Sequence, residues 1–191
     1  MRILNGRSLD LHELKEEDVS TLYLWRNSSD FIRLCSTRRN LVSLEEFRTE
    51  LQSDLKKDRH RQFLIKRKSE FIGTIYSYNL NQTDGHVFVT IFIAEPWRNN
   101  GYGAEAVIVF LEYLFREHSL HKVYAEAYNY NTESLHALAS GGFIEEGRFV
   151  DHRLFHGKRY DLVRLAFFRR QVSESSTLVE RVTGRDPSYW L

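Results

Sequence analysis

The 191-residue chain contains little that would restrain its structure by covalent or metal cross-links. Cys35 is its one cysteine, which excludes an internal disulfide and leaves no cysteine spacing for a metal site. We therefore predict no metal. No apolar run is long enough to span a membrane, and the start of the sequence lacks a signal-peptide pattern. The formal net charge of +1 gives no electrostatic reason to expect nucleic-acid binding. These absences predict a soluble, cytoplasmic protein.

The most informative stretch is a glycine-bearing turn between two strongly patterned segments. An apolar run at 87–93 predicts a buried strand, and an amphipathic run at 104–117 predicts a helix. Between them lie Arg98, Gly101 and Gly103, in the spacing Arg-x-x-Gly-x-Gly. The first turn of a helix offers unpaired N–H groups and a positive dipole end, which suit a phosphate or pyrophosphate. An ordinary tight strand-to-helix turn explains the glycines equally well.

This turn matches neither of the two commonest phosphate loops. No lysine follows Gly103, as a P-loop would require, and Ala106 stands where a dinucleotide fingerprint has its third glycine. The pattern instead resembles the acetyl-CoA pyrophosphate loop of the GNAT superfamily of N-acetyltransferases.

The order of predicted elements supports that resemblance. Periodicity and turn signals give the order β, α, α, β, β, β, α, β, α, β, β from about Leu9 to Phe168. The section from Val87 to Ala127 predicts one parallel βαβ unit. Together with this order, the resemblance implies the fold class α/β (α+β), with a GNAT-like mixed central sheet, a splayed pair of parallel strands and helices on both faces. Residues 1–170 would form the acetyl-CoA-dependent N-acetyltransferase domain, and residues 171–191 a C-terminal extension.

Local signals mark several boundaries within these elements. Ser43 and Glu46 form the capping box of a helix that we expect to end near Lys57. Gly73 suggests a bulge, and residues 81–85 suggest a hairpin loop. A second hairpin turn is expected at 156–157, and a helix end at 141–142. Along the helix at 104–117, a solvated stripe is expected. It consists of Glu105, Glu112 and Arg116.

Two further motifs resemble one GNAT subgroup. Asn131-x-x-Ser134 is followed by Gly142-Phe143-x-x-Glu146-Gly147, a pattern similar to that of ribosomal-protein-alanine acetyltransferases. The tripeptide at 25–27, Trp-Arg-Asn, resembles that subgroup and also amino-sugar acetyltransferases.

The resemblance implies acetyl-CoA as co-substrate and assigns residues to its binding. Backbone groups of the splayed strand would pair with the pantetheine arm, and the loop N–H groups would hold the pyrophosphate. Asn131 would contact the cofactor arm, and Ser134 would contact the cofactor near its thiol. The expected cofactor-binding residues are Ile91, Phe92, Ile93, Arg98, Asn99, Asn100, Gly101, Tyr102, Gly103, Ala104, Asn131 and Ser134. The residue types alone also allow Arg98 to be solvated, Asn131 to be a plain helix cap and Ser134 to bond only backbone.

Ser134 is the one catalytic candidate that the resemblance implies, as the proton donor to the departing thiolate. Many other GNAT enzymes place a tyrosine seven residues after the asparagine, and here Leu138 stands there. No general base is assigned. The residue types leave several open: Glu95, Glu105, His86, Tyr76, Tyr78, His136, His152 and Asp161.

The acceptor is predicted to be a primary amine, acetylated directly in a ternary complex. Trp25, Tyr76 and Tyr78 are the expected substrate-binding residues, with Asp30, Phe31, Asp151 and Asp161 as candidates by position only. A protein N-terminus and a small amine, such as an amino sugar, polyamine or antibiotic, are alternatives. A non-catalytic acyl-CoA-binding module is a further alternative. The expected partners are acetyl-CoA and the amine, without nucleic acid or membrane, in a monomer or homodimer.

Overall fold

The computed structural model describes residues 2–36, 39–56, 60–174, 179–180, 182 and 184. Across these residues a single sheet of eight strands is surrounded by helices. The strands are β1 (Ile3–Asn5), β2 (Asp10–Glu13), β3 (Arg61–Arg67), β4 (Glu70–Asn81), β5 (His86–Ile93), β6 (Lys122–Tyr128), β7 (Ile144–Phe155) and β8 (Lys158–Phe168). The helices are α1 (Val19–Arg26), α2 (Ser29–Leu34), α3 (Leu44–Leu55), α4 (Tyr102–Glu117), α5 (Thr132–Ser140) and α6 (Gln171–Glu174). Short 3₁₀ turns precede α1 and α4.

The sheet is mixed, as the sequence predicts. Its strand order is β1-β2-β3-β4-β5-β6-β8-β7, and of the pairs in the described chain only β5 with β6 is parallel. The β5–β6 register runs from His86↔Lys122 to Val89↔Ala125 and stops there, although β5 continues to Ile93. The two parallel strands therefore separate, and a gap opens between their carboxyl ends.

Helices cover both faces of this sheet, which confirms the predicted layers. On one face α4 is almost wholly buried, and its apolar residues pack with Val87, Val89 and Val123 in the main core. On the other face α1 and α3 enclose a smaller cluster around Leu64 of β3. Burial of these apolar stripes is the main source of stabilisation for such layers.

The expected solvated stripe on α4 is wrong for two of its three residues. Glu105 and Glu112 are buried, with 7% and 6% of their surface exposed. The cause is β1, which the sequence patterns do not predict and which pairs with β2 beside α4. The turn between these strands lies on Glu105, whose carboxylate accepts hydrogen bonds from the backbone N–H groups of Arg7 and Ser8.

The sequence patterns also do not predict α2. A helix is expected at 16–27, where a 3₁₀ turn and α1 cover Glu16 to Arg26, and α2 follows as a separate helix. Its cap is Ser28, whose hydroxyl accepts a hydrogen bond from the Phe31 N–H at 3.1 Å. This second helix is short, and its pattern gives no periodic signal of its own, yet it forms one wall of the gap between β5 and β6.

Most of the local predictions are confirmed. Ser43 and Glu46 exchange both hydrogen bonds of a capping box, and α3 ends at Leu55, two residues before the expected end. A register shift lies beside Gly73, and α5 ends before Gly141. The hairpin turns at 82–85 and 156–157 lie where expected.

The C-terminal extension contributes to the core where it is described. Val172 and Val179 are buried and pack in the main cluster. The sequence leaves open whether Tyr189 and Trp190 at the end of this extension pack on a surface or stay loose, and both lie outside the described residues. Among the residues with described structure, no helix is both long and apolar enough to cross a membrane.

Candidate active site

The turn between β5 and α4 presents a row of unused backbone donors. Asn99 and Gly101 have φ values of 59° and 79°, so the chain is left-handed at both positions. The first hydrogen bond of α4 runs from the Glu105 N–H to the Gly101 carbonyl. Within the described chain, none of the N–H groups of residues 99–104 donates a hydrogen bond. Such a concave row at a helix N-terminus is a binding site for a phosphate group.

The two glycines of this loop have different reasons to be glycine. Gly101 needs its left-handed conformation, which side chains with a Cβ rarely adopt. Gly103 is helical, and a Cβ built there would lie 3.7 Å from Ile93 Cγ1, an ordinary contact. The fold therefore tolerates a side chain at Gly103, and its absence leaves the loop N–H groups open to a ligand.

At the free end of β5, the backbone groups of two residues point toward the gap. The Ala94 N–H donates to the Ile72 carbonyl of β4 at 2.9 Å. Because backbone groups alternate in direction along a strand, the N–H and C=O groups of Ile91 and Ile93 point toward β6. Because β6 has already diverged, the backbone of Ile91 and Ile93 faces the gap. Their N–H groups are suitably placed to pair with an extended amide chain or an acyl oxygen.

The carbonyl groups of the same two residues are already engaged. The Cys35 thiol lies 3.5 Å from the Ile91 carbonyl, and Arg98 Nε donates to the Ile93 carbonyl at 2.9 Å. Burial raises the pKa of the Cys35 thiol to about 12. The thiol is therefore neutral at physiological pH and acts as a donor rather than a nucleophile.

The Arg98 side chain folds into the protein rather than over the loop. Its Nη1 pairs with the Asp30 carboxylate at 2.9 Å, and Asp30 also binds Arg33 at 3.3 Å. Arg98 Nη2 is buried and, in the part of the chain with described structure, has no hydrogen-bond partner. In this conformation the Arg98 side chain connects α2 to the open end of β5.

The opposite wall of the gap is formed by the segment that follows β6. The Asn131 side chain accepts a hydrogen bond from the Ser134 N–H at 3.3 Å and so caps α5. Ser134 is partly exposed in the first turn of α5. Asn129 Oδ1 is buried and has no hydrogen-bond partner among the described residues, which is unusual for a native protein and leaves this acceptor available to a ligand or water.

Aromatic rings line the face of the sheet that carries α1 and α2. Trp25 and Phe31 contact Phe92, with ring centroids 6.0 and 5.3 Å apart. Tyr76 and Tyr78 follow along β4, with ring centroids 6.0 Å apart. The structure therefore brings the three expected substrate-binding residues to the same face of the sheet.

Several candidate bases are unavailable for chemistry. Burial raises the pKa of Tyr76, and burial and then Glu126 raise the pKa of Tyr78 to about 12, so both remain protonated at neutral pH. Glu105 is tied to the β1–β2 turn, and Asp161 pairs with Arg148 at 3.3 Å.

The remaining candidates are not arranged as a catalytic group. His136 and His152 are exposed, Glu95 is exposed, and the His86 ring packs against Tyr124. No cluster of three or more His, Cys, Asp or Glu side chains suited to a metal ion occurs in the part of the chain that is described.

A sheet that splays beside a donor-rich helix N-terminus is the architecture of an acyl-CoA-dependent transferase. The model of the acetyltransferase (GNAT) domain matches residues 8–144, and the chain belongs to this family. The protein is accordingly an acetyl-CoA-dependent acyltransferase, with acetyl-CoA as its co-substrate.

Individual relatives agree with this assignment. The SPbeta prophage-derived N-acetyltransferase YokL of Bacillus subtilis is 22% identical over 166 residues, which cover 87% of this chain and 93% of YokL. Spermidine N(1)-acetyltransferase of Vibrio cholerae is 26% identical over 153 residues, which cover 74% of this chain and 88% of that enzyme.

Solved structures show the same fold. The ribosomal L7/L12 acetyltransferase RimL, in complex with coenzyme A, superposes with a TM-score of 0.79 at 16% identity, over 87% of this chain and 98% of RimL. The Vibrio cholerae spermidine enzyme, in complex with CoA and spermine, superposes with a TM-score of 0.80 at 21% identity, over 85% and 96%.

Sequence patterns miss two polar groups beside the gap. Cys35 and Asn129 belong to no motif that specifies a ligand. Their positions depend on how α2 and the β6–α5 connection meet the sheet. Only the three-dimensional fold brings them to the same site.

Proposed function

We propose that the protein transfers the acetyl group of acetyl-CoA directly to a primary amine, and that the amine is the N-terminus of a protein or peptide. The observation that supports the proposal is that two sets of backbone groups lie next to each other. Unused N–H groups at residues 99–104 adjoin a strand end whose Ile91 and Ile93 backbones face an open gap. A pyrophosphate and a thioester-bearing arm require this combination of donors.

Each donor has a separate task in the transfer. The loop N–H groups and the N-terminus of α4 hold the anionic end, while the N–H groups of Ile91 and Ile93 bind the arm and face the acyl oxygen. Acetyl-CoA supplies the activated acetyl group. An N–H directed at the carbonyl oxygen stabilises the negative charge that develops there as the amine attacks.

The proton balance requires one donor and one acceptor. The attacking amine forms the new C–N bond and loses a proton, while the C–S bond breaks and the thiolate takes up a proton. Ser134 is our proposed donor to the thiolate, because its hydroxyl lies in the first turn of α5 beside the gap. With Tyr76 and Tyr78 protonated, the amine proton leaves through water.

The proposal is tested by measuring release of free CoA thiol from acetyl-CoA with a panel of amines. The panel contains peptides that begin with alanine or serine, spermidine, an amino sugar and an aminoglycoside. We expect release with the peptides. In Ser134→Ala we expect turnover to fall by about 10- to 100-fold, with little change in the dissociation constant of acetyl-CoA measured by calorimetry.

The outcomes separate the parts of the proposal. Undiminished turnover in Ser134→Ala would exclude Ser134 as the proton donor. Binding of acetyl-CoA without release for any amine would support the acyl-CoA-binding module instead. Absence of acetyl-CoA binding would contradict the proposal as a whole.

A polyamine is the second candidate acceptor. It is favoured by the 26% identity to a spermidine N(1)-acetyltransferase and by the aromatic rings along β4, which suit a cationic amine. Release with spermidine but not with peptides would select this alternative.

A further inference from the structure

Aromatic rings lie partly exposed on one half of the sheet. Phe88, Tyr124 and Phe149 belong to three different strands, and their ring centroids lie 4.9, 5.4 and 5.2 Å from the central carbon of the Arg164 guanidinium. Phe88 and Tyr124 are half-buried, and Phe149 is 42% exposed. We call these four residues the aromatic face. Rings gathered around an arginine are typical of the centre of a protein–protein interface.

The helices on this side of the sheet pack on its other half. Phe88 points to the same side as Phe92, four residues further along β5, and Phe92 contacts Trp25 of α1. Together α1 and α3 enclose Leu64 of β3. Toward β7 the surface stays open, and Ile144, which is 48% exposed, extends the aromatic face. An exposed apolar surface of this kind marks a site of interaction.

Four charged side chains frame the aromatic face, and their signs alternate. At one end, Lys122 of β6 pairs with Glu146 of β7 at 2.8 Å. At the other end, Glu126 accepts hydrogen bonds from Arg164 of β8 at 2.8 and 2.6 Å. The β6 side of the face is therefore positive at the first end and negative at the second, and the side formed by β8 and β7 has the reverse order. These four charges cancel.

This charge pattern is complementary to itself. A two-fold axis in the plane of an interface, perpendicular to the strands, turns one copy over and reverses the direction of its strands. Lys122 then faces Glu126 of the second copy, and Glu146 faces Arg164 of the second copy. A strongly acidic or basic partner would meet as many repelling as attracting charges. Charge complementarity therefore selects a second copy of the same chain.

The outer edge of the sheet is unsuited to pairing with a strand of another molecule. β7 is the last strand in the sheet, and its register with β8 shifts twice, after Glu145 and after Phe149. Asp151, within the second shift, has a φ value of 54°. Such bulges interrupt the outer row of N–H and C=O groups, which disfavours the addition of a strand. A second copy is therefore expected to pack on the face of the sheet.

We propose that the aromatic face is the interface of a homodimer in which two sheets pack face to face about a two-fold axis. Packed sheets lie about 10 Å apart, a space that large side chains from both copies fill. The face lies along the first half of β5, whereas the cofactor loop follows the end of that strand at Ile93. Dimerisation should therefore not require acetyl-CoA, and it is independent of which amine is acetylated.

Sedimentation velocity between about 1 and 100 µM protein tests the association directly. We expect the dimer to predominate at about 10 µM, within the affinity range of specific interfaces. Phe149→Glu places a charge among the rings of both copies, so the dissociation constant of the dimer should rise about 100-fold or more. The matched control is Ile3→Glu, at a 40% exposed residue of β1 on the opposite edge of the sheet, which should leave the dimer intact. Unchanged acetyl-CoA affinity would show that both variants are folded.

Charge reversal at two neighbouring residues tests how the copies are oriented. Glu146→Lys places a positive charge beside Lys122 and opposite Arg164 of the second copy, so the dissociation constant should rise about 10-fold. Glu145→Lys makes the same reversal on the other side of the strand, because Glu145 lies opposite the buried Leu165. It should change the dissociation constant by less than about 2-fold. Equal effects of the two reversals would reject the face-to-face arrangement.

Three other results would overturn the inference. A monomer at every concentration would show that the aromatic face does not bind a second copy. A dimer that persists in Phe149→Glu, or that Ile3→Glu disrupts, would place the interface elsewhere. If the chain is a monomer and Phe149→Glu lowers kcat/KM for the peptide acceptors, the face binds the acceptor and not a second copy.

Discussion

At the scale of single residues, the two loop glycines separate folding from ligand binding. Alanine at Gly101 must adopt a φ near 79°, so we expect Gly101→Ala to lower the free energy of unfolding by about 1–2 kcal/mol. Alanine at Gly103 meets only an ordinary contact and improves helix propensity, so Gly103→Ala should leave stability unchanged or raise it by up to about 1 kcal/mol. Urea unfolding measures both changes.

Acetyl-CoA affinity should respond differently from stability in these variants. A side chain at residue 103 stands beside the unused N–H groups, so the dissociation constant should rise in Gly103→Ala and rise further in Gly103→Trp. Calorimetry on the folded variants provides the measurement. Loss of folding in Gly103→Trp, or unchanged affinity in both, would mean that this glycine serves the turn and not the ligand.

The residues of this loop also show which features of the site can be predicted from the sequence. The spacing of Arg98, Gly101 and Gly103 identifies the loop because backbone conformation and a helix N-terminus are local properties. The inward turn of the Arg98 side chain is not local, since it depends on Asp30 in α2.

At the scale of elements, α4 is positioned by a hairpin that the sequence patterns do not predict. β1 is only three residues long and has no clear alternation, so its pairing with β2 becomes evident only in the assembled sheet. This hairpin covers Glu105, and the carboxylate accepts hydrogen bonds from the β1–β2 turn instead of from water. A carboxylate on the polar side of an amphipathic pattern is expected at the surface unless another element covers it.

Removal of this carboxylate should loosen the hairpin from the helix. Glu105→Ala removes a buried carboxylate that accepts hydrogen bonds from the N–H groups of Arg7 and Ser8, so we expect the free energy of unfolding to fall by about 2–3 kcal/mol. Glu105→Gln keeps an oxygen for the same donors and should cost less. Glu133→Ala, an exposed glutamate in the first turn of α5, is the control and should cost under about 0.5 kcal/mol. If urea unfolding gave similar losses of stability for Glu105→Ala and Glu133→Ala, Glu105 would not be what fixes the β1–β2 turn to α4.

At the scale of the whole molecule, the two sides of the gap differ in how far apart in sequence their contacting residues lie. The core, with its buried strands and α4, follows from hydrophobic periodicity, and so does the mixed sheet. The acceptor side instead depends on α2 and the residues just after it: the carbonyl groups of Ile32 in α2 and of Ser36 beyond its end accept hydrogen bonds from Arg153, more than 100 residues later. A contact of that span has no signature in a short window of sequence.

Groups that must stay neutral around the gap make the molecule sensitive to alkali. Folding raises the pKa of the Cys35 thiol from 9.0 to about 12 and that of Tyr78 from 10.0 to about 12, in both cases mainly through burial. As the pH rises above 9, the unfolded chain releases these protons first. Stability from the neutral groups is therefore complete below pH 9 and is lost progressively up to about pH 12.

The one cysteine allows this effect to be isolated. Between pH 8 and pH 10, the free energy of unfolding of the parent protein should fall by about 1 kcal/mol more than that of Cys35→Ala, because the variant lacks the thiol that ionises in the unfolded chain. Urea unfolding at the two pH values gives the difference. Parallel pH profiles for the two proteins would show that the Cys35 thiol ionises equally in both states, and would remove the argument that it remains a neutral donor to the Ile91 carbonyl.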